Sequence, residues 1–102
     1  MSEPTNEELD RWAAEEVMGW TQQGIYRWVD ANGYAVIDGT PWHPSADPGD
    51  DYRVLKRIRA TWIGYPQQMF VFHCGFGAHN YKPGGWTRAA WAVWEQQQKA
   101  KE

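Results

Sequence analysis

The chain is predicted to be an α+β domain: a small, mainly antiparallel sheet of three to four strands covered by about three helices, an α/β/α sandwich. Three observations predict it. Helical spacing of apolar residues occurs three times, each time behind an N-terminal capping signal. Short strand-like runs lie between these segments, and Asn32-Gly33 joins two of them at hairpin distance. One run, Gln68–Cys74 (QMFVFHC), is apolar on both faces and so asks for cover on both sides. The order shows no clear βαβ unit, which favours α+β over a doubly wound parallel sheet. With 102 residues there is room for one modest core, so the expectation is a single domain over 1–102, with 1–4 and 99–102 disordered.

Thr5 and Glu8 have capping-box spacing, so a helix is expected from about Asn6 to Met18. Leu9, Trp12, Ala13 and Val17 form its buried face, and Gly19 is its stop. Glu7, Glu8, Asp10, Glu15 and Glu16 are read as its charged outer surface. Trp20 to Gly24 reads as a connector, Ile25 to Asp30 as a strand and Tyr34 to Ile37 as its hairpin partner. Pro41-Trp42-His43-Pro44 begins an irregular loop that turns abruptly into a central helix. Asp47 is the cap, Pro48 the first helical residue, and Asp50 and Asp51 complement the helix dipole. The apolar stripe of that helix reads Tyr52, Leu55, Ile58 and Trp62, with Arg53, Lys56 and Arg57 opposite. Gly64-Tyr65-Pro66 breaks the pattern before the strand Gln68–Cys74. Gly75-Phe76-Gly77 is a turn, and Ala78 to Tyr81 is a candidate fourth strand. Thr87 is expected to cap a last helix to about Gln98, with Ala90, Val93, Trp94 and Gln97 on one stripe.

Composition narrows the function classes. Eight Trp, five Tyr and three Phe are more than a small core can bury fully. They either cover the seams between helices and sheet or offer a stacking surface to a ligand or a partner. A single cysteine, Cys74, excludes an intramolecular disulfide and favours a reducing compartment. The first ten residues, MSEPTNEELD, do not resemble a signal peptide, and no apolar run approaches the roughly 20 residues that cross a membrane. Residues 1–51 carry 11 acidic and 2 basic side chains, while residues 52–102 carry 2 acidic and 8 basic ones. The net charge of −3 argues against general nucleic-acid binding, although the basic half can hold a local anion site or simply neutralise the acidic half.

No catalytic set stands out. His73 and Cys74 are neighbours on a strand and point to opposite faces, which works against joint metal ligation or a thiol–imidazole pair. Asp47, Asp50 and Asp51 have a complete structural reason at a helix start, and no metal or cofactor is expected. Gly75-Phe76-Gly77 lacks the context of a phosphate-binding loop. The most suggestive grouping is aromatic plus basic: Trp42 and His43 on the central loop, Arg53 and Arg57 on the adjoining helix, and His73 at a strand end. Aromatic faces stack on bases and guanidinium forks match phosphate oxygens, so these five residues form the candidate ligand site.

ELDRWAAEEVMGW, the loop WHPSAD leading into DDYRVLKRIR, the strand MFVFHCGFG and the closing helix WTRAAWAVWE together resemble the phage ABA sandwich domain family. The resemblance touches most of residues 8–94. It implies the sandwich fold, a phage or prophage origin and work in the host bacterial cytoplasm, and it brings no established activity. The expectation is a non-enzymatic binding protein that sequesters a nucleotide-derived signal, as a counter-defence protein would, assembling as a dimer or higher oligomer to deepen its pocket. The alternative is a protein-interaction module that blocks a host protein through a Trp-rich or acidic face. A hydrolase of a nucleotide signal using His43 or His73 is a weaker third reading.

Overall fold

The structure, a computed structural model, describes residues 3–64, 66, 68, 70 and 82–100. Helix α1 (Asn6–Trp12) opens with the expected capping box. Thr5 Oγ1 accepts from the Glu8 N–H at 3.2 Å, and Glu8 Oε1 accepts from the Thr5 N–H at 2.9 Å. The Thr5 backbone N–H, and after it the Thr5 hydroxyl, holds the Glu8 carboxyl below the usual carboxylate range. The helix then widens into a π-helical turn, Ala13–Val17, and ends at Gly19 with φ +74°. Leu9, Trp12, Ala13, Ala14 and Val17 are buried.

Strands β1 (Thr21–Gly24), β2 (Arg27–Val29) and β3 (Ala35–Asp38) form an antiparallel sheet in the order β1-β2-β3. Strand β1 lies where a connector is expected. Its sequence, TQQG, carries no apolar alternation and all four residues are exposed, so only its pairing with β2 makes it a strand. The expected strand Ile25–Asp30 is correspondingly shorter, because Ile25 and Tyr26 form the β1–β2 turn. At the β2–β3 link only Gly33 takes a positive φ, +87°. Asp30 Oδ1 accepts from the N–H groups of Asn32 and Tyr34 at 2.9 and 3.0 Å, so a side chain supports the turn that two left-handed residues would otherwise make. Trp28 and Ile37 sit opposite each other in the ladder and are both buried.

Helix α2 (Pro48–Thr61) is capped by Asp47, whose carboxylate accepts from the Gly49 and Asp50 N–H groups at 2.7 and 3.3 Å. Its buried stripe is Asp51, Val54, Leu55 and Ile58. Tyr52, expected on that stripe, is instead 48 % exposed, because the stripe begins one residue earlier on the aspartate. Beyond α2 the expected strand does not begin at Gln68: Pro66, Gln68 and Phe70 are helical, and the Gln68 N–H reaches the Gly64 carbonyl at 3.2 Å. Pro66 suits a first helical turn, where its missing N–H costs nothing. The rest of that strand, the turn Gly75–Gly77, the candidate strand Ala78–Tyr81, His73 and Cys74 lie outside the described residues.

Helix α3 (Gly85–Ala100) runs two residues past the expected end. Thr87 is its third residue rather than its cap, and its side chain is fully buried. Ala89, Ala90 and Val93 face the core. Helix α3 packs on α2 and α1, and the π-helical turn packs on α2. Trp12, Trp20, Trp28 and Trp42 are buried, while Trp62, Trp86, Trp91 and Trp94 are half-buried against the same cluster. The tryptophans therefore cover seams; Trp12 meets Trp94 edge-on at 5.7 Å across α1 and α3. Among the described residues, a three-stranded antiparallel sheet together with helices α1, α2 and α3 makes the α+β arrangement the sequence predicts. Among the described residues no helix is long and apolar enough to cross a membrane.

Candidate functional site

Asp10 is not on the outer surface of α1. It stands at the head of a stripe, Asp10, Ala13, Ala14 and Val17, whose i, i+3, i+4, i+7 spacing turns it inward, and it is 6 % exposed. A buried carboxylate requires donors. Asp10 Oδ1 accepts from the Ser45 N–H at 2.8 Å, and Oδ2 lies 3.3 Å from His43 Nδ1. The Asp10 main-chain carbonyl accepts from the Trp42 indole N–H at 2.9 Å. One residue of α1 thereby fixes three residues of the central loop. The Ser45 backbone N–H is thereby spent on a carboxylate 35 residues away.

The loop is held from its other side as well. The His43 N–H donates to Asp50 Oδ2 at 3.0 Å, and the His43 carbonyl accepts from the Ala46 and Asp47 N–H groups. Burial is the main cause that pushes the Asp50 carboxyl above its ordinary value, and neighbouring Asp47 adds to it; the His43 N–H works in the opposite direction.

Between this loop, α1 and the β1–β2 hairpin lies a cleft of about 410 Å³. Its apolar lining is Ile25, Tyr26, Trp28, Pro41 and Trp42; its polar lining is Glu7, Asp10, Arg11, Gln22 and His43. The volume falls within the roughly 300–1,000 Å³ of small-molecule sites. Ile25 and Tyr26, at the hairpin turn, are 81 % and 52 % exposed. Arg11 is engaged on both sides, with Gln22 Oε1 at 3.3 Å and Glu15 at 3.6 Å.

Of the five residues predicted as ligand-binding, the structure brings two to the cleft. Trp42 and His43 line it. Arg53 lies instead over aromatic rings, its guanidinium carbon 5.4 Å from the Trp20 centroid and 5.7 Å from that of Trp42, so the cation is used in packing. Trp20 and Trp42 themselves meet edge-on at 4.9 Å. Arg57 is exposed on α2 and does not line the cleft. His73 lies outside the described residues. The sequence reading missed Asp10 and Tyr26. The signal for Asp10 was its place on an apolar stripe; Tyr26 was hidden by the strand assigned across it.

Chemically, a carboxylate-oriented imidazole can hold or accept a proton at a defined nitrogen. Among the described residues no Ser, Thr or Cys lines the cleft beside it, and no group of three or more His, Cys, Asp or Glu is arranged to hold a metal ion. Comparison with protein-family models, curated proteins and solved structures finds no match to this chain.

Proposed function

We propose that the chain is a small non-enzymatic binding protein of phage or prophage type, at work in the bacterial cytoplasm, that sequesters a nucleotide-derived signal in the cleft between α1 and the β1–β2 hairpin. The observation that carries this reading is the cleft itself. Aromatic side chains and an oriented imidazole converge on a volume of small-ligand size, and a half-exposed Tyr26 stands at its edge. A thermal-shift series against nucleosides, nucleotides and cyclic or ADP-ribose-type compounds tests it. A bound ligand stabilises by RT ln(1 + [L]/Kd), about 2.7 kcal/mol at a hundredfold excess over Kd. Chromatography of the ligand released on denaturation separates sequestration, which returns it intact, from hydrolysis, which does not. Sedimentation with and without ligand tests the expected dimer.

A second reading is favoured by a different observation. The tryptophans are tucked against the core, yet Ile25 and Tyr26 at the β1–β2 turn and Tyr34 beside the β2–β3 turn stand 81, 52 and 72 % exposed, at the two ends of β2. Exposed apolar and aromatic side chains at the turns of a sheet suit a protein partner. If no compound shifts the melting temperature, and a host protein captured by the chain is lost from a Tyr26→Ser/Tyr34→Ser variant, this reading replaces the first.

A further inference from the structure

We infer that the cleft selects a nucleobase presenting an exocyclic amino group, of adenine or cytosine type, and leaves phosphates outside; this rests on the ligand-binding reading above. The inference begins with the Asp10–His43 contact. An ionised carboxylate only accepts hydrogen bonds, so His43 Nδ1, 3.3 Å from Asp10 Oδ2, carries the ring proton. In the neutral imidazole Nε2 is then an acceptor. Asp10 is well placed to impose this tautomer. Its side chain is 9 % exposed, and its other oxygen is held by the Ser45 N–H. The His43 backbone is clamped at both its N–H and its carbonyl, so the ring has a defined station.

The His43 side chain is 57 % exposed and lines the cleft, and with Nδ1 turned to Asp10 the edge open to a ligand is the one bearing Nε2. Tyr26 lines the same cleft and offers a half-exposed ring for stacking. An acceptor beside a stacking ring favours a base whose edge donates. The amino group of adenine or cytosine projects outward and does so freely, whereas hypoxanthine and uracil donate only through a ring N–H flanked by oxo oxygens, which bring acceptors up against Nε2. Charge points the same way. Glu7 and Asp10 line the cleft, Arg11 is engaged with Glu15 and Gln22, and Arg53 and Arg57 stand elsewhere, so a polyphosphate entering it would meet carboxylates rather than free guanidinium groups.

Isothermal titration of the full chain with adenosine, inosine, cytidine, uridine and ATP tests this. The expected result is adenosine over inosine and cytidine over uridine by about tenfold, the usual penalty of an unpaired acceptor, with ATP no tighter than adenosine. His43→Ala, at an exposed side chain, should remove the preference and leave the melting temperature nearly unchanged. Asp10→Asn provides a second readout. If the amide oxygen keeps the Ser45 N–H, its NH2 faces Nδ1, the ring proton moves to Nε2, and the preference shrinks or inverts towards the oxo bases. Equal binding of amino and oxo bases, a preference that survives His43→Ala, or ATP bound more than tenfold tighter than adenosine overturns the inference and leaves the binding reading standing. No binding of any nucleoside or nucleotide overturns both.

Discussion

Asp10 and Asp51 use one device for two ends. Each heads an i, i+3, i+4, i+7 stripe on its helix, each is buried, and each accepts from backbone about 35 residues further along the chain. Asp51 is fully buried. It takes the Thr87 N–H at 2.8 Å, the Thr87 hydroxyl at 2.6 Å and the Trp86 N–H at 3.3 Å. A side chain of α2 therefore satisfies the orphan donors of the first turn of α3. Asp10 takes one backbone N–H from Ser45 and then a ring nitrogen from His43. The contacts of Asp51 with α3 end on two backbone N–H groups and a buried hydroxyl, so the result is architecture. At Asp10 the chain of contacts ends on an exposed imidazole that lines the cleft, so the same kind of contact leaves a group at the surface held at one nitrogen. Burial of a carboxylate thus points to a site only when one of its partners is a side chain that itself reaches solvent.

Asp51→Ala breaks the architectural half and should cost the most, about 3 kcal/mol, because buried donors on Thr87 lose their acceptor. Urea titration should show a lower midpoint at unchanged slope. Gly84→Ala comes next, at about 2 kcal/mol. Gly84 has φ +86°, and a Cβ there would run into the Ser45 backbone carbonyl, which cannot swing aside as a side chain can. Asp10→Ala should cost about 1–2 kcal/mol, since His43 can turn to water while the Ser45 N–H cannot; ligand stabilisation in the thermal-shift series should be lost as well. If Asp10→Ala proves as costly as Asp51→Ala without changing ligand response, the two carboxylates are equivalent and the contrast between them fails.

The smallest effect belongs to Asp50, half-buried under the loop. Its carboxyl titrates above its ordinary value in the fold, so its contribution is favourable at low pH and is lost as pH rises through the folded value. Asp50→Asn, which keeps an acceptor for the His43 N–H, should therefore melt slightly higher than the parent chain at pH 7. The gap should close as the pH is lowered through the carboxylate range. A gap that widens on acidification would reverse the sign assigned to this group.

Local signals were the legible part of the fold. The capping box at Thr5 and Glu8, the Asp47 cap with Pro48 behind it, and the stop at Gly19 each depend on groups within four residues of one another, and all are present. The apolar stripe of α3 was legible for the same reason. The two aspartates were assigned to solvent and to the helix dipole because charge outweighed position in the reading. Their spacing with Ala13 and Val17, and with Val54 and Ile58, pointed inward all along. Strand β1 carried no signal at all, since Thr-Gln-Gln-Gly becomes a strand only through β2. Of the candidate site, Trp42 and His43 were legible as an aromatic and a titratable group on an irregular loop. Arg53 does meet Trp42, but with its guanidinium over the Trp20 and Trp42 rings rather than among the residues that line the cleft.

The contact between Gly84 and Ser45 also orders events in time. Ser45 is held by Asp10 through its N–H and pressed against Gly84 at its carbonyl, so a single peptide of the central loop joins the first helix to the entrance of the last. Every cleft residue lies before position 44, yet the loop that carries three of them leans on a backbone some 40 residues downstream. Closing so long a segment carries an entropic cost that only docking of α3 can offset. A nascent chain that has not yet delivered residue 84 and the helix behind it therefore holds all the cleft's side chains without holding the cleft. On the proposed binding reading, ligand capture becomes a property that the chain acquires only after α3 has been made and docked.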